Sequence, residues 1–208
     1  MEPTKRRSLE KLVIAVTIVI WLISVSAGAV WLTRYSGIPG EVGANSPLQW
    51  PQSGGLYLDR SRMTLVMVVH PHCSCSRASL RELAEVMTRS QGHVAARVVF
   101  EQPAGAPDEW VHSDLWRLAG EVPIVTVSVD RDGGIARAFH ASTSGQIVLY
   151  DSAGRLLFAG GITPARGHEG PNAGVDAVLS ALRGEPTADI TTPVYGCSLY
   201  SPSRQETR

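Results

Sequence analysis

The chain has 208 residues, 44% hydrophobic and 18% charged, which is the composition of a globular protein rather than a disordered one. Nineteen Lys and Arg balance nineteen Asp and Glu, and a net charge of zero gives a nucleic-acid partner no electrostatic footing. Three cysteines are too few for a disulfide scaffold, and their odd number points to a free, shared or metal-bound thiol.

Lys5, Arg6, Arg7 and Lys11 lie in a basic stretch, residues 1–11, ahead of Leu12–Leu32, a run of 21 residues without a charge. As a helix that run is roughly 31 Å long, about one hydrocarbon thickness. The basic excess before it, against Arg34 just after it, places the N-terminus in the cytoplasm and the rest of the chain in the periplasm or outside the cell. Ala27-Gly28-Ala29 has the spacing of a signal-peptide cleavage site. Apolar character nevertheless continues through Val30-Trp31-Leu32, which favours an uncleaved single-pass anchor in the cytoplasmic membrane. Both lysines precede this run, so no Gly-rich phosphate loop ending in Lys exists.

Residues 33–55, with Gly37, Pro39, Gly40, Gly43, Pro47 and Pro51, read as a linker, and residues 56–184 as the folded domain. Leu56–Leu58 is read as a short edge strand, and Met63–Val69 as a buried strand. Leu80, Leu83, Ala84 and Met87 form the stripe of a helix over about Cys75–Arg89. Val94–Phe100 reads as a strand, and Asp108 as the N-cap of a helix to about Ala119, ended by Gly120. Pro123–Val129 follows as a strand, then a short helix around Ile135, Ala138 and Phe139. Gln146–Tyr150 and Arg155–Ala159 form a hairpin. Asn172 caps a last helix closed by Gly184, and residues 185–208 are a tail carrying Cys197. Strands alternating with helices and ending in a hairpin describe an α/β fold with a mixed sheet.

Cys73 and Cys75 fall where the buried strand turns into a helix. A helix N-terminus carries unsatisfied N–H groups and partial positive charge, so a sulfur there ionises readily. His70 and His72, if protonated, would lower it further. Side chains two apart on a regular helix diverge, so a Cys73–Cys75 bridge needs a distorted turn. The 13 residues from Gly184 to Cys197 span up to roughly 43 Å, so Cys197 is also within reach as a second sulfur. Two cysteines flanked by His70 and His72 also suit a soft ion such as Cu(I), so copper is the alternative to a site with no cofactor.

The order of elements resembles the thioredoxin fold, and specifically the membrane-anchored, exported thioredoxins of the TlpA and ResA kind. The resemblance runs from about Met63 to Arg183, through Val122-Pro123-Ile124-Val125, Asp130-Arg131-Asp132-Gly133 and Val148-Leu149-Tyr150-Asp151. The loop Gly160–Gly170, with His70–Cys75 and Tyr195-Gly196-Cys197, is similar to the subgroup called RedB-like. The resemblance implies a three-layer thioredoxin-like fold with a mixed central sheet behind one transmembrane helix, and a protein thiol or disulfide as substrate. It makes Cys73 the reactive sulfur, Cys75 or Cys197 the resolving one, and His168 a proton donor or ligand bordering them. Two departures stand out. The fourth position of the family's C-x-x-C is Ser76, and the place of its cis-proline, which helps hold the substrate, falls on Gly145, preceded by Ser144. Glycine there is expected to leave the face beside Cys73 open. Three readings follow: a thiol-disulfide oxidoreductase with a C-x-C site, a periplasmic Cu(I)-binding or delivery protein, and a non-catalytic thioredoxin-like interaction module.

Overall fold

The computed structural model describes residues 3–41, 46–185 and 190–200. Its contacts divide into two compact units, Met1–Gly37 and Ile38–Arg208. The first is one helix, α1 (Pro3–Ser36), whose stretch Glu10–Ser36 has a mean hydropathy of 2.5 and is long and apolar enough to cross a membrane. Within it Thr17, Ser24 and Thr33 each donate a hydroxyl to the carbonyl four residues back, at 2.9 Å.

The second unit is built on a five-stranded sheet in the order β3-β2-β1-β4-β5, with β1 (Met63–Val69), β2 (Val94–Gln102), β3 (Val125–Arg131), β4 (Gln146–Tyr150) and β5 (Leu156–Gly160). β1 pairs parallel with β2 and antiparallel with β4, so the sheet is mixed. A strand flanked on both sides and covered on both faces has no solvent side, which is why MTLVMVV is a continuous apolar run. Leu65, Met67 and Val69 face one core with α2 (Ser76–Arg89), α3 (Asp114–Glu121) and α5 (Ala173–Leu182). Val66, Val99, Val148 and Tyr150 face the other, with Trp50 and with Phe139 just after α4 (Gly134–Ala138). The result is three layers.

Several boundaries differ from the sequence reading. Leu56–Leu58 is not a strand; Leu56 and Leu58 instead pack on the Trp50 cluster. The end of the linker belongs to the fold: Tyr150 donates its hydroxyl to the Pro47 carbonyl at 2.8 Å, and Trp50 packs edge-on to Phe139 and Tyr150. Asp108 caps no α-helix because its carboxylate is engaged by Arg131 and Gln102. It opens only a single 3-10 turn, Asp108–Trp110, and α3 starts later, where the Ser113 hydroxyl accepts from Trp116 N–H. Gly120 lies inside α3, which ends at Glu121 just ahead of Pro123. β2 runs two residues longer than expected because Glu101 and Gln102 pair with Asp130 and Arg131. Residues 186–189 and 201–208 of the expected tail, like Gly43 in the linker, lie outside the described residues.

Candidate active site

β1 delivers the chain to the site and α2 carries it away. Just past β1, His70 N–H donates to Ser144 Oγ at 2.7 Å, and Cys73 N–H closes a turn onto the His70 carbonyl at 3.1 Å. Helix α2 then opens with Cys75 as its N-cap. Cys73 is fully buried beside that helix N-terminus.

The tail closes the site. It runs beside β5, where Ala159 N–H donates to the Ile190 carbonyl, and on to Val194, whose carbonyl accepts from Gly40 N–H. Cys197–Leu199 then lies antiparallel to Ser142–Ser144, with Ser144 N–H on the Cys197 carbonyl at 2.8 Å and Leu199 N–H on the Ser142 carbonyl at 2.9 Å. This pairing lays Cys197 on Cys73, and Cys197 N–H donates to Cys73 Sγ at 3.3 Å. All three cysteines are free thiols.

Hydrogen bonds decide where the charge sits. The side chain of Cys197 donates to Cys73 and holds its thiol well below the ordinary value. The Ser76 hydroxyl and the N–H groups of Cys197 and Ser76 act in the same direction, against burial. Cys197, as the donor, is pushed up. Cys75 is also pushed up, by burial and by the charge on Cys73, with Arg166 opposing. The thiolate therefore belongs to Cys73. Ser76, three residues after Cys73, is bonded through its hydroxyl to Ser144 Oγ at 2.7 Å. With the Ser76 hydroxyl donating to Cys73, the proton shared between the two serines comes from Ser144, whose oxygen also accepts from His70 N–H.

Burial pushes His70 below its ordinary value, with the Cys73 charge only partly opposing. Its Nδ1 accepts from His72 N–H at 3.1 Å, and the His72 ring meets Trp110 edge-on, ring centres 4.4 Å apart. Among the described residues, no group of three or more His, Cys, Asp or Glu is arranged to hold a metal ion. His168 is exposed at a loop tip with Nδ1 against the Arg166 carbonyl at 2.8 Å. It is Arg166, two residues earlier, that reaches the Gly196 carbonyl and Cys75. Nothing in the sequence singled out Arg166 among the arginines.

Gly145 does not open the face beside Cys73. Its φ of +89° is a conformation that favours glycine, and its N–H donates to the Val68 carbonyl at 2.8 Å. A Cβ there would stand 2.7 Å from Ser79 Oγ, so it faces α2. The space the sequence reading left open is occupied by Gly196 and Cys197, and Ser144, read there as a substrate contact, pairs with the chain's own tail.

No family model and no curated relative matches the chain. Solved structures do. A hypothetical protein from Sinorhizobium meliloti 1021 is similar at 21% identity and a TM-score of 0.58, over 76% of this chain and 97% of that one. An uncharacterized conserved protein from Geobacillus kaustophilus is similar at 17% identity and 0.56, over 78% and 94%. The pneumococcal exposed lipoprotein thioredoxin of Streptococcus pneumoniae is similar at 18% identity and 0.42, over 60% and 86%. The fold is thioredoxin-like: strand order β3-β2-β1-β4-β5, with the cysteine-bearing turn between the central strand and a helix. The candidate site sits in that turn, completed by the tail.

Proposed function

We propose that the chain is a membrane-held thiol–disulfide oxidoreductase in which Cys73 attacks and Cys197 resolves. The observation that carries this reading is the seating of Cys197 on Cys73, N–H to Sγ at 3.3 Å, with the thiolate stabilised by the partner that would receive it as a disulfide. Cys73 thiolate attacks one sulfur of a protein disulfide, and the other substrate sulfur leaves as a thiolate and takes up a proton. Cys197 then gives up its proton and attacks Cys73 Sγ, forming Cys73–Cys197 and releasing the second substrate thiolate. The same steps run backwards with a dithiol substrate, so the potential of the partner sets the direction. For Cys73 to meet a protein disulfide, the Cys197–Leu199 segment has to lift from Ser142–Ser144, since Cys73 is fully buried beneath it.

The apolar part of α1 supplies the anchor, and the basic residues Lys5, Arg6, Arg7 and Lys11 ahead of Leu12–Leu32 orient the domain to the periplasm or cell exterior, a compartment where disulfides persist. Within the fold, the RedB-like subgroup is the finer place we give it, on the residues that carry that resemblance. The test is turnover of a small disulfide by the full chain in detergent. Cys73→Ser should abolish it, and Cys197→Ala should trap a mixed disulfide on Cys73. A Cys73→Ser protein as active as wild type would end the reading.

A further inference from the structure

Arg166 leaves the loop after β5 and ends among backbone carbonyls. Its Nε donates to the Ile38 carbonyl at 2.9 Å, and its Nη1 donates to the Gly196 carbonyl. The second contact matters because of what lies across the peptide bond. The Gly196 carbonyl and the Cys197 N–H belong to one planar trans peptide and point in opposite directions. Arg166 holds the oxygen end, and Cys73 Sγ receives the hydrogen end at 3.3 Å. The guanidinium thus fixes the plane of the peptide, and by drawing on its oxygen it polarises the N–H toward the sulfur.

We infer that Arg166 is the positioning residue that seats Cys197 on Cys73, acting through the Gly196–Cys197 peptide. The inference rests on the Cys73–Cys197 reading and adds to it the part that sets how readily the bond forms. Two carbonyls held at once by one rigid fork restrict the loop, the Ile38 segment and the tail together. A single ammonium on a flexible stem has no such geometry, so charge alone does not replace it.

The experiment equilibrates the full chain in detergent with reduced and oxidised glutathione and measures the fraction with Cys73–Cys197 closed, for wild type, Arg166→Ala and Arg166→Lys. Closing the bond holds the tail down, whereas in the dithiol form the tail can lift, so losing the Arg166 contact should lower the equilibrium constant about tenfold in Arg166→Ala. Arg166→Lys should recover only part of it. The alkylation rate of Cys73 should reach half its plateau at a higher pH in both variants, a change that a merely structural role would not give. Thermal melting shows whether each variant is folded, and the partly conservative lysine variant carries the decision if alanine is not. Equilibrium constants within twofold of wild type in both variants overturn the inference. So does full recovery by lysine, which would make Arg166 a simple counter-charge. If wild type itself never closes the bond, the Cys73–Cys197 reading falls and takes this inference with it.

Discussion

Gly196→Ala isolates the contact on which the site depends, because it adds one methyl and changes no chemistry. Gly196 packs its Cα on the turn ahead of β4, and a Cβ there would be driven into the Ser144 carbonyl oxygen, standing 3.0 Å from the Ser144 carbon and 3.1 Å from Thr143 Cγ2. The nearest obstacle is backbone, which cannot rotate aside as a side chain does, so the tail or the turn must shift. Gly196 is not among the glycines with a positive φ, so alanine brings no conformational strain of its own. Overpacking of this kind costs about 1–3 kcal/mol. The closed form must keep the tail docked, whereas the dithiol form relieves the clash by letting it lift, so the equilibrium constant for closing Cys73–Cys197 drops by about fivefold to a hundredfold, at about 1.4 kcal/mol per decade. The assay is equilibration with glutathione, acid trapping, and mass measurement of closed against open forms. The five-stranded sheet lies away from the added methyl, so circular dichroism should be unchanged. An unchanged equilibrium constant in a folded Gly196→Ala protein would refute the argument, because the tail would then not be packed on Ser144 when the bond closes.

Cys197→Ala removes the strongest side-chain donor to the Cys73 thiolate and should shift the pH profile of Cys73 alkylation upward; Ser76→Ala should shift it the same way by less. Glu101, buried beside Asp130 at the ends of β2 and β3, is pushed up to about 7 by burial and then by that neighbour. Its folded value exceeds the unfolded one, so its stabilising effect is present below the unfolded value of 4.5 and is lost as pH rises through about 7. Glu101→Gln should flatten the fall in melting temperature over that window, and an identical fall in wild type and variant would count against it. A reporter active only after export should work when fused at Gly43, and the protein should stay with membranes after an alkaline carbonate wash; release into the soluble fraction would defeat the anchor.

Local patterns carried most of the fold. β1 and β4 have the bounds their apolar runs indicate, and Asn172 caps α5 with its Oδ1 on Val175 N–H at 2.9 Å. These features depend on neighbours a few residues apart, which is what periodicity and capping chemistry register. Where a polar side chain had a distant partner, the reading slipped. Asp108 looked like a cap but is held by Arg131 from β3. The site was half legible for the same reason. Cys73 was placed by the strand-to-helix turn, whereas Cys197 meets it across 124 residues of sequence, so chain length established reach but not contact. Ser76 looked like the loss of a cysteine and is a donor to the thiolate. Gly145 looked like an opening, but the tail fills the space, and no pattern within residues 142–145 indicates that Cys197–Leu199 docks there. The expectation for His168 came from the position of its loop, while the reach across the site belongs to Arg166.

The central claim is that Cys73 and Cys197 form the redox pair, and mapping the disulfide tests it most directly. The full chain in detergent is oxidised with a slight excess of oxidised glutathione, free thiols are blocked, and the protein is digested without reduction for mass spectrometry. The account predicts a peptide pair joining Cys73 to Cys197, with Cys75 recovered alkylated. A Cys73–Cys75 link, or three alkylated cysteines under conditions that oxidise an ordinary dithiol, would contradict it.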